Sequence, residues 1–169
     1  MRPPNPPIIE SMKQATVTAV LATLILAVCP APAAADATFF FGYAPKPSGR
    51  PVRGFAVGAT MAIVGFEFEY SNTDEKEIPT APGLKTFMFN VLLASPTSFQ
   101  VYATAGGGLY TESVLDQSQT AFGTNFGGGV KFSLAGPLRL RLDYRVFALS
   151  GDALEKSSQR FYAGANVAF

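Results

Sequence analysis

Four charged residues stand at alternate positions between Leu138 and Leu149: Arg139, Arg141, Asp143 and Arg145, with Phe147 closing the row. Glu67 and Glu69 repeat that two-residue spacing earlier in the chain. Guanidinium and carboxylate groups in such rows can pair with one another, or they can line a path for ions and small solutes. Other chemistry is poorly provided for. The chain has no histidine, which removes many catalytic and metal-binding schemes. Its one cysteine, Cys29, lies in an apolar N-terminal run. Asp74, Glu75, Glu77, Asp116, Asp152 and Glu155 are scattered singly or in a hydrophilic run, and read as solvated loop tips rather than acid–base pairs or calcium ligands. Two glycine triplets, 106–108 and 127–129, lack the Lys-Ser/Thr and the helix that a phosphate loop needs. They read as glycines that let strands bend and make room for neighbouring aromatic rings. No catalytic residue, cofactor or metal is expected.

The element that must position the charged row is a strand. Leu138, Leu140, Leu142, Tyr144, Val146 and Ala148 occupy the positions between the charges, so one face is apolar and the other charged. On a helix the same residues would mix Leu with Arg on every face. In a soluble sandwich the leucines would meet a core; in a transmembrane barrel they meet lipid and the arginines fill the lumen. A strand of about eleven residues, tilted by about 40°, spans roughly 25–28 Å of membrane.

Composition leans the same way. Apolar residues make up 48% and charged ones 15%, against about 25% charged in soluble domains. Ala15–Cys29 is uncharged and apolar, with Lys13 before it and small residues after it. That describes a secretory signal peptide, and the run is shorter than the roughly 20 residues of a spanning helix. Residues 1–35 are therefore expected to leave as a signal peptide, cut between Ala35 and Asp36. Met12-Lys13 makes a better start to the leader than the proline-bearing residues before it. Val28 stands where a lipoprotein site needs a small residue, so the protein is expected to be unlipidated. Residues 36–169 hold eleven Lys and Arg and eleven Asp and Glu, with no basic surplus for nucleic acid.

From Thr38 onward the chain reads as short strands between turn signals: 38–43, 52–61, 63–70, 84–94, 99–110, 120–132, 138–149 and 159–169. Short turns near 62, 95–97 and 133–137 alternate with longer polar loops at 44–51, 71–83, 111–119 and 149–158. Short turns on one side and long loops on the other suit an outer-membrane barrel. An even number of strands lets the last meet the first, so no edge faces lipid. The predicted fold is all-β, an eight-stranded antiparallel up-and-down transmembrane β-barrel over residues 36–169.

The last strand sets Phe161, Ala163, Ala165, Val167 and Phe169 on one face and ends on Phe169. In this the sequence resembles the small OmpA/OmpX-like outer-membrane β-barrels, where alternating apolar residues lead to a C-terminal Phe. The resemblance implies a bacterial outer-membrane location and contact with outer-membrane lipid. It also implies that the barrel-assembly machinery reads Phe161, Val167 and Phe169 as an assembly signal. Barrels of this kind that modify lipid A rely on a histidine, so no enzyme is expected here. One departure is that Phe does most of the girdle work usually given to Trp and Tyr. Phe99, Phe132 and Phe169 are expected at the periplasmic rim, and Tyr43, Tyr70, Phe122 and Phe161 towards the outer one.

Strand parity then turns a set of polar residues inward: Arg139, Arg141, Asp143, Arg145, Glu67, Glu69, Lys131, Arg160, Asn125, Asn166, Tyr102, Tyr110 and Tyr162. The third and seventh of eight strands lie opposite each other. Glu67 and Glu69 are therefore expected to face Arg139, Arg141 and Arg145, with Asp143 as a partner within the row. Such a charge-paired plug resembles the lumenal acid–base pairs of OmpA-like proteins and suits a monomer with an envelope-structural or surface-interaction role. The alternatives are a narrow channel or carrier for small solutes, and a soluble lipocalin-like binding barrel with the faces inverted.

Overall fold

Along Leu138–Leu149 burial follows residue type: Leu138, Leu140 and Leu142 are exposed, while Arg141, Asp143, Arg145 and Phe147 are buried. The computed structural model describes residues 33–46, 49–75, 81–114, 117–151, 153–154 and 156–169. They form eight strands: β1 (Ala33–Ala44), β2 (Arg50–Met61), β3 (Val64–Thr73), β4 (Gly83–Ala94), β5 (Phe99–Val114), β6 (Gln117–Ala135), β7 (Leu138–Leu149) and β8 (Ser157–Ala168). Each pairs antiparallel with its sequence neighbours, and β8 pairs with β1 to close the barrel. At the seam the Phe169 amide donates to Ala35 O at 2.9 Å and the Ala35 amide to Phe169 O at 3.1 Å.

Register fixes the shape. A walk across the paired residues from Ala33 passes Met61, Val64, Leu93, Ala103, Gly128, Tyr144 and Phe161 and returns to β1 at Tyr43, ten residues further on. Eight strands with a shear of ten tilt by about 40° and enclose a space only just wide enough for side chains. The outer surface is apolar, carrying Phe39, Phe55, Phe66, Phe89, Phe126 (61% exposed) and Leu140 (36% exposed). That is the inverse of a lipocalin-like soluble barrel, which would turn its polar side out. Polar and charged groups are packed inside.

All eight predicted strands are present, with shifted ends. β1 begins at Ala33, before the expected cut at Ala35; residues 1–32, with the rest of the expected leader, lie outside the described residues. The largest difference is at 111–119, expected as a loop. There β5 and β6 stay paired as far as Val114 and Gln117. Threonines sustain this polar hairpin, and the Thr111 and Thr120 hydroxyls bond across it at 2.8 Å. The short connections are tight. Ala62 turns the chain at φ 55°, and Gly136, at φ 53°, does so before Pro137. The Gly127–Gly129 triplet lies within β6, as expected of strand glycines. A β-carbon on Gly129 would stand 2.6 Å from the Tyr102 hydroxyl and 2.2 Å from the Leu142 carbonyl.

Candidate functional site: the lumenal charge core

Strands β3 and β7 face each other across the lumen, and their inward side chains meet. Glu67 accepts from Arg145 Nη2 at 2.7 Å and from Arg141 Nη1 and Nη2, the latter at 3.3 Å. Asp143 accepts from Arg141 Nη2 and Arg145 Nε, both at 3.0 Å, and from the Tyr102 hydroxyl. Arg141 Nε in turn donates to the Tyr102 oxygen at 2.7 Å. Glu69 is held by Arg160 Nη2. Arg145 Nη1 lies 3.1 Å from Glu69 Oε2, an ion pair too poorly aligned to be a hydrogen bond. Arg160 Nη1 also donates to Ser71 Oγ at 2.6 Å.

Arg141 and Arg145 are both 0% exposed, and the carboxylates are nearly as dry. Lone charges in such a place would be very costly. Here three guanidiniums share three carboxylates, so the charge cancels within the cluster. A separate pair, Lys131 to Asp36 at 2.5 Å, adds one further charge of each sign on the side nearer the short turns. Aromatic faces complete the packing. The Arg160 guanidinium lies 4.7 Å from the Phe147 ring centroid and 5.2 Å from that of Phe40, which stacks on Tyr162.

Of the residues picked out from the sequence, Glu67, Glu69, Arg141, Asp143 and Arg145 come together. Arg139 does not. It is half-buried two residues from the Gly136-Pro137 turn, opposite Ser133 and Asn166, and it forms no ion pair among the described residues. Parity gives the side of a strand but not the depth, and Arg139 sits at the mouth. Its place in the cluster is taken by Arg160, which parity had turned inward but only register sets beside Arg145. Asn125 donates to Asn90 at 2.8 Å and Asn166 to Thr38 at 2.8 Å. Asp36 was not foreseen as a lumenal partner, because the expected cut makes it a chain end. Phe161, Val167 and Phe169 lie exposed on the outer face of the seam.

A second layer lies nearer the long loops. Leu84, Met88, Tyr110, Phe147 and Leu149 pack with Ala153 inside the barrel. The connection after β7 is tied over them, Tyr110 donating to Ser150 O at 2.5 Å and Glu112 accepting from the Leu154 amide at 3.0 Å. The signal for this layer was apolar residues at inward positions, Leu84 and Met88 among them. Chemically, Glu67, Glu69 and Asp143 are all engaged by guanidiniums, which suits bracing the walls better than moving protons.

Closed register, apolar exterior and polar interior together define the class: an eight-stranded antiparallel up-and-down transmembrane β-barrel. No protein-family model and no curated protein matches the chain. Solved structures do match in fold. The N-terminal β-barrel domain of Pseudomonas aeruginosa OprF is 14% identical at TM-score 0.63, covering 80% of this chain and 97% of that one. Neisserial surface protein A is 15% identical at TM-score 0.64, covering 81% and 97%. The outer membrane enzyme PagL is 12% identical at TM-score 0.52, covering 78% and 98%.

Proposed function

We propose that this chain is a non-enzymatic, monomeric protein of the bacterial outer membrane whose charge core closes the lumen, leaving the outer wall and loops to brace the envelope or meet partners. The observation that carries this is the balance of Arg141, Arg145 and Arg160 against Glu67, Glu69 and Asp143 in direct contact across the barrel. A selective pore is better served by one sign of charge lining an open path. The apolar layer of Leu84, Met88, Tyr110, Phe147 and Leu149 argues the same way. The narrow-channel reading rests on Arg139 alone, a half-buried cation near the short-turn mouth with no ion pair among the described residues.

The absence of histidine and the engagement of Glu67, Glu69 and Asp143 support a non-enzymatic role, although the same fold serves the enzyme PagL. Export would use a cleaved leader, with Asp36 as the first residue found by N-terminal sequencing. The Ala35–Phe169 hydrogen bonds would leave with the leader, and β1 would pair with β8 from Asp36 and Ala168 onward. Assembly machinery would read the end carrying Phe161, Val167 and Phe169. The test is fractionation with a heat-modifiability gel. The protein should appear in outer membranes, require detergent for extraction and change mobility on boiling. Recovery as a soluble protein without detergent would refute the placement.

A further inference from the structure

The outer face changes character abruptly between two neighbouring rows of paired residues. Phe55, Tyr70, Phe87, Leu109 and Phe122 form one row. Two residues nearer the long loops, about 7 Å along the strands, the row reads Arg53, Asn72, Lys85, Thr111 and Thr120. Arg53 and Lys85 are the only cations on the outer face of the strands among the described residues. With strands tilted about 40°, such a row climbs about 3 Å per strand toward the loops. Arg53 is therefore the deeper of the two, level with the tyrosines of the rim.

Beside Arg53 lies an outward groove of about 340 Å3 between Phe39 and Phe41 of β1 and Phe55 and Tyr70 of β2 and β3, with Arg53 and Asn72 at its loop-side end. Arg53 Nη2 lies 3.3 Å from Asp74 Oδ1, which also accepts from Asn72 Nδ2 at 3.3 Å. That single contact between groups 63% and 44% exposed aims the guanidinium without using its other donors. Lys85 forms no ion pair among the described residues. A larger groove of about 550 Å3 over β8, walled by Phe41, Leu142, Tyr144 and Phe161, has no cation beside it and suits acyl chains alone.

We propose that the Arg53 groove binds one diphosphorylated saccharolipid of the outer leaflet. An acyl chain lies between the β1 and β2–β3 aromatic rings, and one phosphate meets the Arg53 guanidinium, which can bond two of its oxygens at once. Lys85 stands two strand spacings away along the row, about 10 Å at the backbone, beyond Asn72 and outside the groove lining. It meets the second phosphate, so a headgroup with phosphates two sugar rings apart fits better than one with phosphates bridged by a single glycerol. This rests on the outer-membrane reading.

The test is native mass spectrometry of the refolded protein in non-ionic detergent. The probes are a diphosphorylated glucosamine-disaccharide lipid, its monophosphorylated form, cardiolipin, phosphatidylglycerol and phosphatidylcholine. The diphosphorylated lipid should bind one to one and most tightly. Arg53→Gln should weaken it about tenfold or more, as expected for a lost charge-assisted contact. Lys85→Gln should abolish the preference for two phosphates over one while leaving the monophosphorylated lipid unchanged. Equal binding of cardiolipin or phosphatidylglycerol, or an Arg53→Gln variant that binds like the parent, would overturn the site. If the folded protein still needs detergent in those cases, the barrel reading stands and only the lipid site falls.

Discussion

Glu67 is the residue whose loss should be felt most, because it ties both β7 arginines to the opposite wall. Glu67→Gln keeps the shape and removes the charge, leaving Arg141, Arg145 and Arg160 to share Glu69 and Asp143. Breaking a buried ion pair costs about 3–5 kcal/mol because the abandoned charge stays dry. The amide oxygen still accepts one hydrogen bond, which places this variant near 3 kcal/mol. With a urea slope of about 1–3 kcal/mol per molar, the unfolding midpoint should fall by about 1 M or more. A double-mutant cycle with Arg141→Met gives the sharper test. Removing both partners restores two cations against two anions, so the combined variant should cost less than the two single losses together, with a coupling above about 1 kcal/mol. Tryptophan is absent, so unfolding is followed by tyrosine emission and heat-modifiability. Single costs that simply add, within about 0.5 kcal/mol, would refute the idea that Glu67 and Arg141 share a dry core.

Arg139→Gln should change stability by about 0.5 kcal/mol or less, since it breaks no ion pair, whereas Arg141→Gln, two residues along the same face, should cost about 3 kcal/mol or more; equal urea midpoints would show that depth in the lumen has been misread. Leu140→Arg puts charge on the lipid face and should cost about 2–4 kcal/mol in lipid vesicles, while parental stability would mean the faces are wrongly assigned. Gly129→Val should leave little heat-modifiable protein, because its side chain would meet the Tyr102 hydroxyl and the Leu142 carbonyl. Phe169→Asp should lower the folded level in outer membranes, and unchanged levels would remove Phe169 from the assembly signal.

Much of the barrel was legible because lipid and lumen make opposite demands on adjacent residues. Leu138–Leu149 shows this most plainly, and its parity carried over to Glu67 and Glu69. Where that opposition stops, so does the signal. At 111–113 and 118–120 the paired strands carry Thr, Glu, Ser and Gln on both faces, so a paired strand looks like a loop. Parity was equally silent about depth, which comes from the shear of ten. Arg139 and Arg141 share a face, yet one sits at the mouth and the other in the core. Arg160 shows the converse, an inward residue whose partner Glu69 became evident only once β7 and β8 were in register. Leu84, Met88 and Phe147 are apolar on the inward side, so the layer they help to build blurred the alternation that marked the rest.

Planar-bilayer recording of the purified parent beside Glu67→Ala with Glu69→Ala bears most directly on a lumen closed by its own charges. The parent should show no steady conductance. The double variant, stripped of the carboxylates that hold Arg141, Arg145 and Arg160, should admit water and conduct while losing stability in urea. Steady conductance from the parent, with a variant equally stable and no more conductive, would contradict the closed lumen and establish the channel in its place.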